Sequence, residues 1–405
     1  MSRCRVLLMA SSMRGGGSEW QTALLAKHLD REKFEVHLYL TQAEGDLLWE
    51  IPSDVQAHHP PGSFPPSIWD RLPGGMLRRQ AQWFGELTKS LDADVIYDRT
   101  FHMTLLAGHP SAEKASGRAR PRVSTIVSPP HVALPMVEKR FVALKRRYLA
   151  AAYRRSFRVI AVSDAARQSA IDFYGLPASS IQTIRNPVDV EAVRVAAKRG
   201  SAPTDDADGL RLAVVGRMTE EKGHATLLQA IERLMSDWPE EQPPMQIRLI
   251  GDGPLRDDLQ RQWRDIVLRA GPQDILHHVE FAGVIQPASG EIAASDGMIL
   301  PSHFEGMPNV VLEAFALGVP VIATRAGGTV ELQSSESEPT CFWADPRAPD
   351  SLARAIREFV VSPGERQVRR GWADRWVRQH HDLSDAVARI SEQLLLAGSL
   401  PPASS

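Results

Sequence analysis

The residues best placed to do chemistry lie between Leu300 and Ala314, in the string LPSHFEGMPNVVLEA. Two carboxylates, Glu305 and Glu313, stand on either side of a helix start. Pro308 suits the first position of a helix, because the N–H it lacks would be unpaired there anyway. Glu305 is then expected in the loop before the helix, and Glu313 one to two turns inside it. Gly306 permits close backbone approach to a ligand. The N–H groups from Met307, Asn309, Val310 and Val311 converge with the positive end of the helix dipole, a setting suited to a pyrophosphate. Ionised carboxylates on both sides can accept hydrogen bonds from sugar hydroxyls.

A second string, VVGRMTEEKG from Val214 to Gly223, follows a strand and opens a strand-to-helix turn. Gly216 begins that turn. Arg217 and Lys222 are five apart, so one loop can bring a guanidinium fork and an ammonium point charge to one anion. Together they can neutralise charge developing on a departing diphosphate. In LIGDGPL, Gly251 and Gly253 let the backbone pass close to a base or ribose, and Gly327, Gly328 and Glu331 follow another strand. Open parallel sheets bind ligands at the carboxyl ends of their strands.

The elements that must hold these residues follow from the apolar pattern. Cys4 to Met9 is a continuous apolar run, as expected of a strand buried on both faces. Gly15, Gly16 and Gly17 follow it, and Glu19 to Leu29 has helical spacing. Strands are predicted at 34–40, 94–97, 123–127 and 159–162. The alternation restarts with strands at 211–215, 246–250, 279–281, 297–300 and 319–323, and with helices over 227–234 and 309–317. Such alternation predicts mostly parallel, doubly wound sheets. The segment 198–209 lacks periodicity and reads as a linker. At 405 residues, two domains are the default. The tail 397–405 is expected to be disordered.

Composition excludes several classes. Hydrophobic residues make up 43% and charged residues 24%, ordinary for a soluble globular chain. A net charge of -2 gives no global field for nucleic acid. Two distant cysteines, Cys4 and Cys341, form no disulfide framework and suit a reducing cytosol. The run Val6 to Ala10 is too short for a signal segment or a membrane span. The triple glycine lacks both the Walker closing Lys and the dinucleotide-binding spacing. Asp92 with Asp94, and Asp206 with Asp208, read as solvated turns rather than metal pairs, and no catalytic metal or cofactor is expected. His131, after a strand and a Pro-Pro turn, is the candidate contact to a sugar or acceptor; His102 follows another strand as an incidental loop histidine. Eight basic residues crowd a helix predicted over 139–158: Lys139, Arg140, Lys145, Arg146, Arg147, Arg154, Arg155 and Arg158. It is a solvated face or a peripheral contact for an anionic membrane.

Taken together these strings resemble the family 4 glycosyltransferases, from the glycine-rich first loop to about Glu331 and including VIAVSD … IRNPVD near the domain junction. The resemblance implies GT-B architecture: two Rossmann-like doubly wound parallel-sheet domains facing a central cleft. It places an acceptor-side domain at 1–188, completed by a helix near 376–396, and a nucleotide-sugar-binding domain at 189–375. It implies a UDP- or GDP-sugar donor and retention of anomeric configuration. It also implies a glycan or lipid-linked acceptor and a cytoplasmic site of action, at the inner face of the membrane if the basic helix docks there. By carry-over, Arg217 and Lys222 hold the diphosphate, Glu313 the ribose and Glu305 the donor sugar, with Gly16 and Gly17 near the phosphates. Where many members carry a histidine after the strand ending at Tyr97, this chain has Asp98 and Arg99. A non-catalytic sugar or nucleotide binder, a nicotinamide-dependent oxidoreductase and a sugar-nucleotide epimerase are the competing readings. The oxidoreductase is disfavoured by the glycine spacing.

Overall fold

The structure, a computed structural model, describes residues 3–62, 74–199, 209–235, 238–239, 241–270, 276–333 and 335–400. The chain divides into two compact units, Met1–Asn186 with Ser384–Ser405, and Pro187–Leu383.

In the first unit the strands are β1 (Cys4–Ala10), β2 (Phe34–Leu40), β3 (Gln56–His58), β4 (Val95–Arg99), β5 (Arg122–Ile126), β6 (Arg158–Ala161) and β7 (Ile181–Thr183). Between them run α1 (Gly17–His28), α2 (Gly75–Ser90), α3 (Thr100–Ala107), α4 (Pro110–Ser116), α5 (Pro130–Val137), α6 (Val142–Arg154) and α7 (Asp164–Tyr174). The sheet is parallel, in the order β3-β2-β1-β4-β5-β6-β7. The continuous apolar run of β1 is explained by burial on both faces. Leu7 and Met9 pack with Phe84, Met103 and Leu106 on one side. Val6 and Leu8 pack with Leu25, Ile390 and Leu394 on the other.

The second unit begins with α8 (Val190–Arg199) and carries β8 (Leu210–Val215), β9 (Met245–Ile250), β10 (His278–Gly283), β11 (Gly297–Leu300), β12 (Val321–Thr324) and β13 (Cys341–Ala344). Its other helices are α9 (His224–Met235), α10 (Arg256–Ala270), α11 (Ser289–Ala293), α12 (Asn309–Leu317), α13 (Pro349–Val361) and α14 (Pro363–His380). The order is β10-β9-β8-β11-β12-β13, again parallel. Leu212, Ile247, Ile299 and Ile322 meet Leu228, Ile231, Ile356 and Phe359 in one core. Each unit is therefore a Rossmann-like doubly wound sheet, the pair that makes up the GT-B class. In each, the winding direction reverses once, between β1 and β4 and between β8 and β11. Ligands of open α/β sheets bind at such switch points.

Several boundaries differ from expectation. The expected linker is helical at its start, since Lys198 and Arg199 close α8. Residues 200–208, with Asp206 and Asp208, lie outside the described residues. Asp92 is exposed and faces Arg118 and Arg120, while Asp94 accepts the Arg5 N–H at 2.8 Å. The helix expected over 376–396 is two, because α14 stops at His380 and α15 (Leu383–Gly398) follows. α15 inserts Ala386, Ile390, Leu394 and Ala397 into the first unit's core, so Ala397 and Gly398 are helical; residues 401–405 lie outside the described set. Among the described residues, no helix is long and apolar enough to cross a membrane.

A buried polar cluster of the first unit joins β4 to β5. Asp98 is fully buried, accepts from Ser124 Oγ at 2.7 Å and Thr104 Oγ1 at 2.5 Å, and pairs with Arg122 at 3.4 Å. Burial outweighs these partners and pushes the Asp98 carboxyl upward. Asp98→Ala leaves the Arg122 guanidinium buried and unpaired. The expected loss is about 3–5 kcal/mol in urea unfolding, and an unchanged midpoint would show the pair to be dispensable.

Candidate functional site

The site is built at the switch point of the second sheet. Lys222 comes from the loop after β8 and Glu305 from the loop after β11, and those strands are neighbours. Lys222 Nζ meets Glu305 Oε1 at 2.7 Å, with the lysine side chain 28% exposed and the glutamate 10%. Ser302, fully buried, donates from Oγ to the same oxygen at 2.7 Å. Thr324 at the end of β12 donates to the Ser302 carbonyl. Glu305 is thus fixed from three strand ends.

Two glycines make that contact sterically feasible. Gly223 has φ +68°, and a Cβ there would lie 2.0 Å from the Pro301 oxygen. Gly327 has φ +58°, and a Cβ there would lie 2.4 Å from the Glu305 oxygen. The loop 301–305 is clamped between them, and the Glu305 carbonyl accepts the Gly328 N–H at 3.0 Å. Left-handed backbone and missing Cβ are both required, so no other residue substitutes without displacement. The His303 N–H also donates to the Glu221 carbonyl at 2.7 Å, and its Nε2 lies 3.0 Å from Thr226 Oγ1.

Arg217 is exposed on the loop that carries Lys222, and among the described residues no carboxylate pairs with it. Gly216 N–H donates to the Ile250 carbonyl at 3.0 Å, and Gly251 N–H to the Gly283 carbonyl at 2.7 Å. The loops after β8 and β9 are therefore in contact, with a Cβ at Gly253 falling 2.5 Å from the Met218 oxygen. His224 is buried next to Lys222 with neither ring nitrogen hydrogen-bonded. Burial, and then the Lys222 charge, lower it to about 4, so it adds no third cation.

α12 spans 309–317 as expected, with Pro308 as its cap rather than its first residue. No side chain caps this end. Gly306, Met307 and Pro308 are buried and Asn309 and Val310 half-buried. The Val311 N–H is less available than expected, since it turns back to the Pro308 carbonyl at 3.1 Å. Glu313 is half-buried and has no hydrogen-bond or ion-pair partner among the described residues. Burial raises its carboxyl to about 7. A carboxylate held this way can accept from a ligand hydroxyl without first giving up a protein partner. Sequence reasoning named both acids and both cations but missed Ser302 and Thr324. Ser302 sits in the quoted string, three residues before Glu305, and that spacing was the available signal.

Comparison with known proteins fits this geometry. A family model described as Glycosyltransferase Family 4 matches residues 15–192, and one described as Glycosyl transferases group 1 matches residues 209–361. The chain belongs to the family 4 glycosyltransferases. A curated relative is the lipopolysaccharide core biosynthesis glycosyltransferase LpsE of Rhizobium meliloti. It is 34% identical over 155 residues, covering 38% of this chain and 41% of that protein. The chain spans about half the length of the curated relatives it matches. Among solved structures, Anabaena HepE in complex with UDP-glucose superposes with a TM-score of 0.73 at 20% identity, covering 97% of this chain and 99% of that one. Sucrose-phosphate synthase of Thermosynechococcus elongatus gives 0.75 at 17% identity, covering 98% and 100%. At these identities the two structures establish the GT-B fold.

The first unit's glycine loop differs from the expectation drawn from the family. Gly15 and Gly16 both donate their N–H groups to Glu19 Oε2 at 2.9 Å, and Ser12 Oγ donates to Oε1. Gly16 caps α1 and Gly17 is its first residue. The loop is closed on its own carboxylate, so the Gly16 N–H is already engaged. His131 is exposed on α5 with Nδ1 2.6 Å from Ser169 Oγ, and His102 is exposed on α3.

Glu313 gives a pH-dependent stability with a definite sign. Its folded-state pKa lies above the ordinary carboxylate value, so the fold holds the proton longer than the unfolded chain does. Its contribution therefore turns unfavourable as pH rises from about 5 to about 7, then levels off. Glu313→Gln does not titrate. Its melting temperature should gain on the parent across that window and stay level above it; a constant difference would contradict the raised pKa.

Proposed function

We propose that the chain is a retaining, metal-independent glycosyltransferase that moves a sugar from a nucleotide-sugar donor to a glycan or lipid-linked acceptor. The observation that carries the reading is the Lys222–Glu305 contact at the switch point, with Arg217, which pairs with no carboxylate among the described residues, on the same loop as Lys222. An ammonium has three donors, and Glu305 uses one. Two remain for phosphate oxygens, and the Arg217 fork supplies more. Glu305 holds the donor sugar while fixing Lys222, and Glu313 accepts from ribose hydroxyls.

In the proposed step the acceptor hydroxyl attacks the anomeric carbon from the face the diphosphate leaves. The bond from that carbon to the diphosphate oxygen breaks, a bond to the acceptor oxygen forms, and the acceptor proton passes to the leaving oxygen. Arg217 and Lys222 stabilise the growing negative charge in fixed positions, which is where most of the rate gain would arise. The UDP-glucose complex of HepE supports a uridine donor, and the name of LpsE supports a glycan acceptor.

A peripheral, inner-face membrane location is also proposed, on a surface narrower than the sequence suggested. The helix starts at Val142, and most of its cations are committed to the fold. Lys145 pairs with Glu138, and Arg146 donates to the Phe173 carbonyl at 2.7 Å. Arg154 and Arg155 bond the carbonyls of Tyr174 and Gly108, and Arg158 that of Ser179. Lys139, Arg140 and Arg147 remain exposed, beside Phe141, Leu144 and Tyr148, which are 64%, 47% and 58% exposed. Exposed aromatic and aliphatic side chains among exposed cations fit an anionic lipid interface.

Two experiments test these proposals. Lys222→Ala and Arg217→Ala should each lower turnover with UDP- or GDP-sugars roughly a hundredfold, with the melting temperature nearly unchanged; near wild-type turnover in both would refute the assignment. Reversing Lys139, Arg140 and Arg147 to Glu should cut binding to anionic vesicles by about a hundredfold, at about 1 kcal/mol per cation. Equal binding to neutral vesicles would remove the membrane proposal.

A further inference from the structure

Among the described residues, two arginines are buried outright, Arg99 and Arg122. Arg122 pairs with Asp98. Arg99, 4% exposed at the end of β4, touches only neutral oxygens. Its Nη1 donates to Tyr97 Oη at 3.2 Å, its Nη2 to Asn186 Oδ1 at 3.1 Å, and its Nε to Ser18 Oγ at 3.4 Å. Three of its five N–H groups are used, and among the described residues no carboxylate lies within ion-pair distance. Glu19, beside Ser18, spends its carboxylate on Gly15, Gly16 and Ser12.

Other arginines of this unit show how unusual that is. Around a small cavity under β4 and β5, Arg118 and Arg120 each face Asp92 at 3.2 Å, and Arg155 faces Glu113 at 3.9 Å. A guanidinium removed from water without a counter-charge is strongly unfavourable, and neutral oxygens recover only part of the loss.

The position of Arg99 in the sheet is equally unusual. β4 lies beside β1, where the first sheet reverses its winding, so Arg99 sits at that unit's switch point. Thr100, the next residue, has φ +74°, an outlier for a β-branched residue, and its Oγ1 is buried without a partner. Strain and an unused hydroxyl next to an uncompensated cation mark a place arranged for something other than stability.

We propose that Arg99 is the receptor for an oxyanion, a phosphate or carboxylate carried by the acceptor, with the Thr100 hydroxyl as a second donor. The ligand supplies the charge that the protein omits. Assigning the anion to the acceptor rests on the transferase reading; anion binding itself does not.

Asn186→Asp tests this by placing the missing charge 3.1 Å from Nη2 in an isosteric side chain. The full chain is followed by thermal shift with inorganic phosphate, with acetate and with UDP. The parent should gain stability with phosphate or acetate, and whichever gives the larger shift identifies the oxyanion. Asn186→Asp should melt higher unliganded, lose that response and keep the UDP response. Arg99→Gln should weaken anion binding at least about tenfold from the other side, which also serves if the first variant does not fold. A parent indifferent to both anions, or an Asn186→Asp variant that still responds to them, overturns the proposal. Joint loss of the phosphate and UDP responses overturns it too, by giving the anion to the donor. A parent that does not respond to UDP counts instead against the donor reading.

Discussion

Loops at the end of a parallel sheet carry chemistry only if their backbones can touch, and here that depends on the fit of residues 301–305 between Gly223 and Gly327. Lys222 belongs to one loop and Glu305 to another, 83 residues away. Their 2.7 Å contact exists because backbone, with no side chain between, separates the loops. Ser302 and Thr324 then hold the acid by hydrogen bonds that need no charge. The cation is left with donors to spare, because its acid is shared with a hydroxyl.

The same economy of charge separates the acidic residues by role. Asp98 is fully buried and spends its oxygens on Arg122, Ser124 and Thr104, so it serves the fold. Glu313 is half-buried with no partner among the described residues, and its carboxyl is lifted to about 7. Glu19 turns inward to the glycine loop and takes the N–H groups that an incoming anion would otherwise meet. Three carboxylates thus act as a structural brace, an open acceptor and a loop clasp, and the difference is which donors surround them.

Both units place their unusual residues where winding reverses, at β1 with β4 and at β8 with β11. At that point consecutive connections leave to opposite faces of the sheet, and the loop ends are not covered by a crossing helix. Arg99 ends β4, the counterpart of β11, and Lys222 follows β8, the counterpart of β1, so the two lie on opposite sides of the switch point in their own sheets. Lys222 has its acid, and among the described residues Arg99 has none.

Sequence pattern alone determined the architecture, because burial on both faces leaves a continuous apolar run such as CRVLLM and each following helix repeats at its own period. It also determined that Arg217, Lys222 and Glu305 belong to strand-end loops, since each follows an apolar run, and that Glu313 belongs to the helix after one of them. Short strands such as β3 and β7, three residues each, were illegible because so few residues carry no period. The basic helix was legible as basic, but Arg146, Arg154 and Arg155 are bound to carbonyls 20 to 47 residues away, which no local pattern encodes. Only the tertiary structure decided that Lys222 meets Glu305, that Gly16 is closed on Glu19, and that no acid among the described residues pairs with Arg99. Each of these is a distance between chain segments or the absence of a neighbour, and residue spacing along a chain records neither.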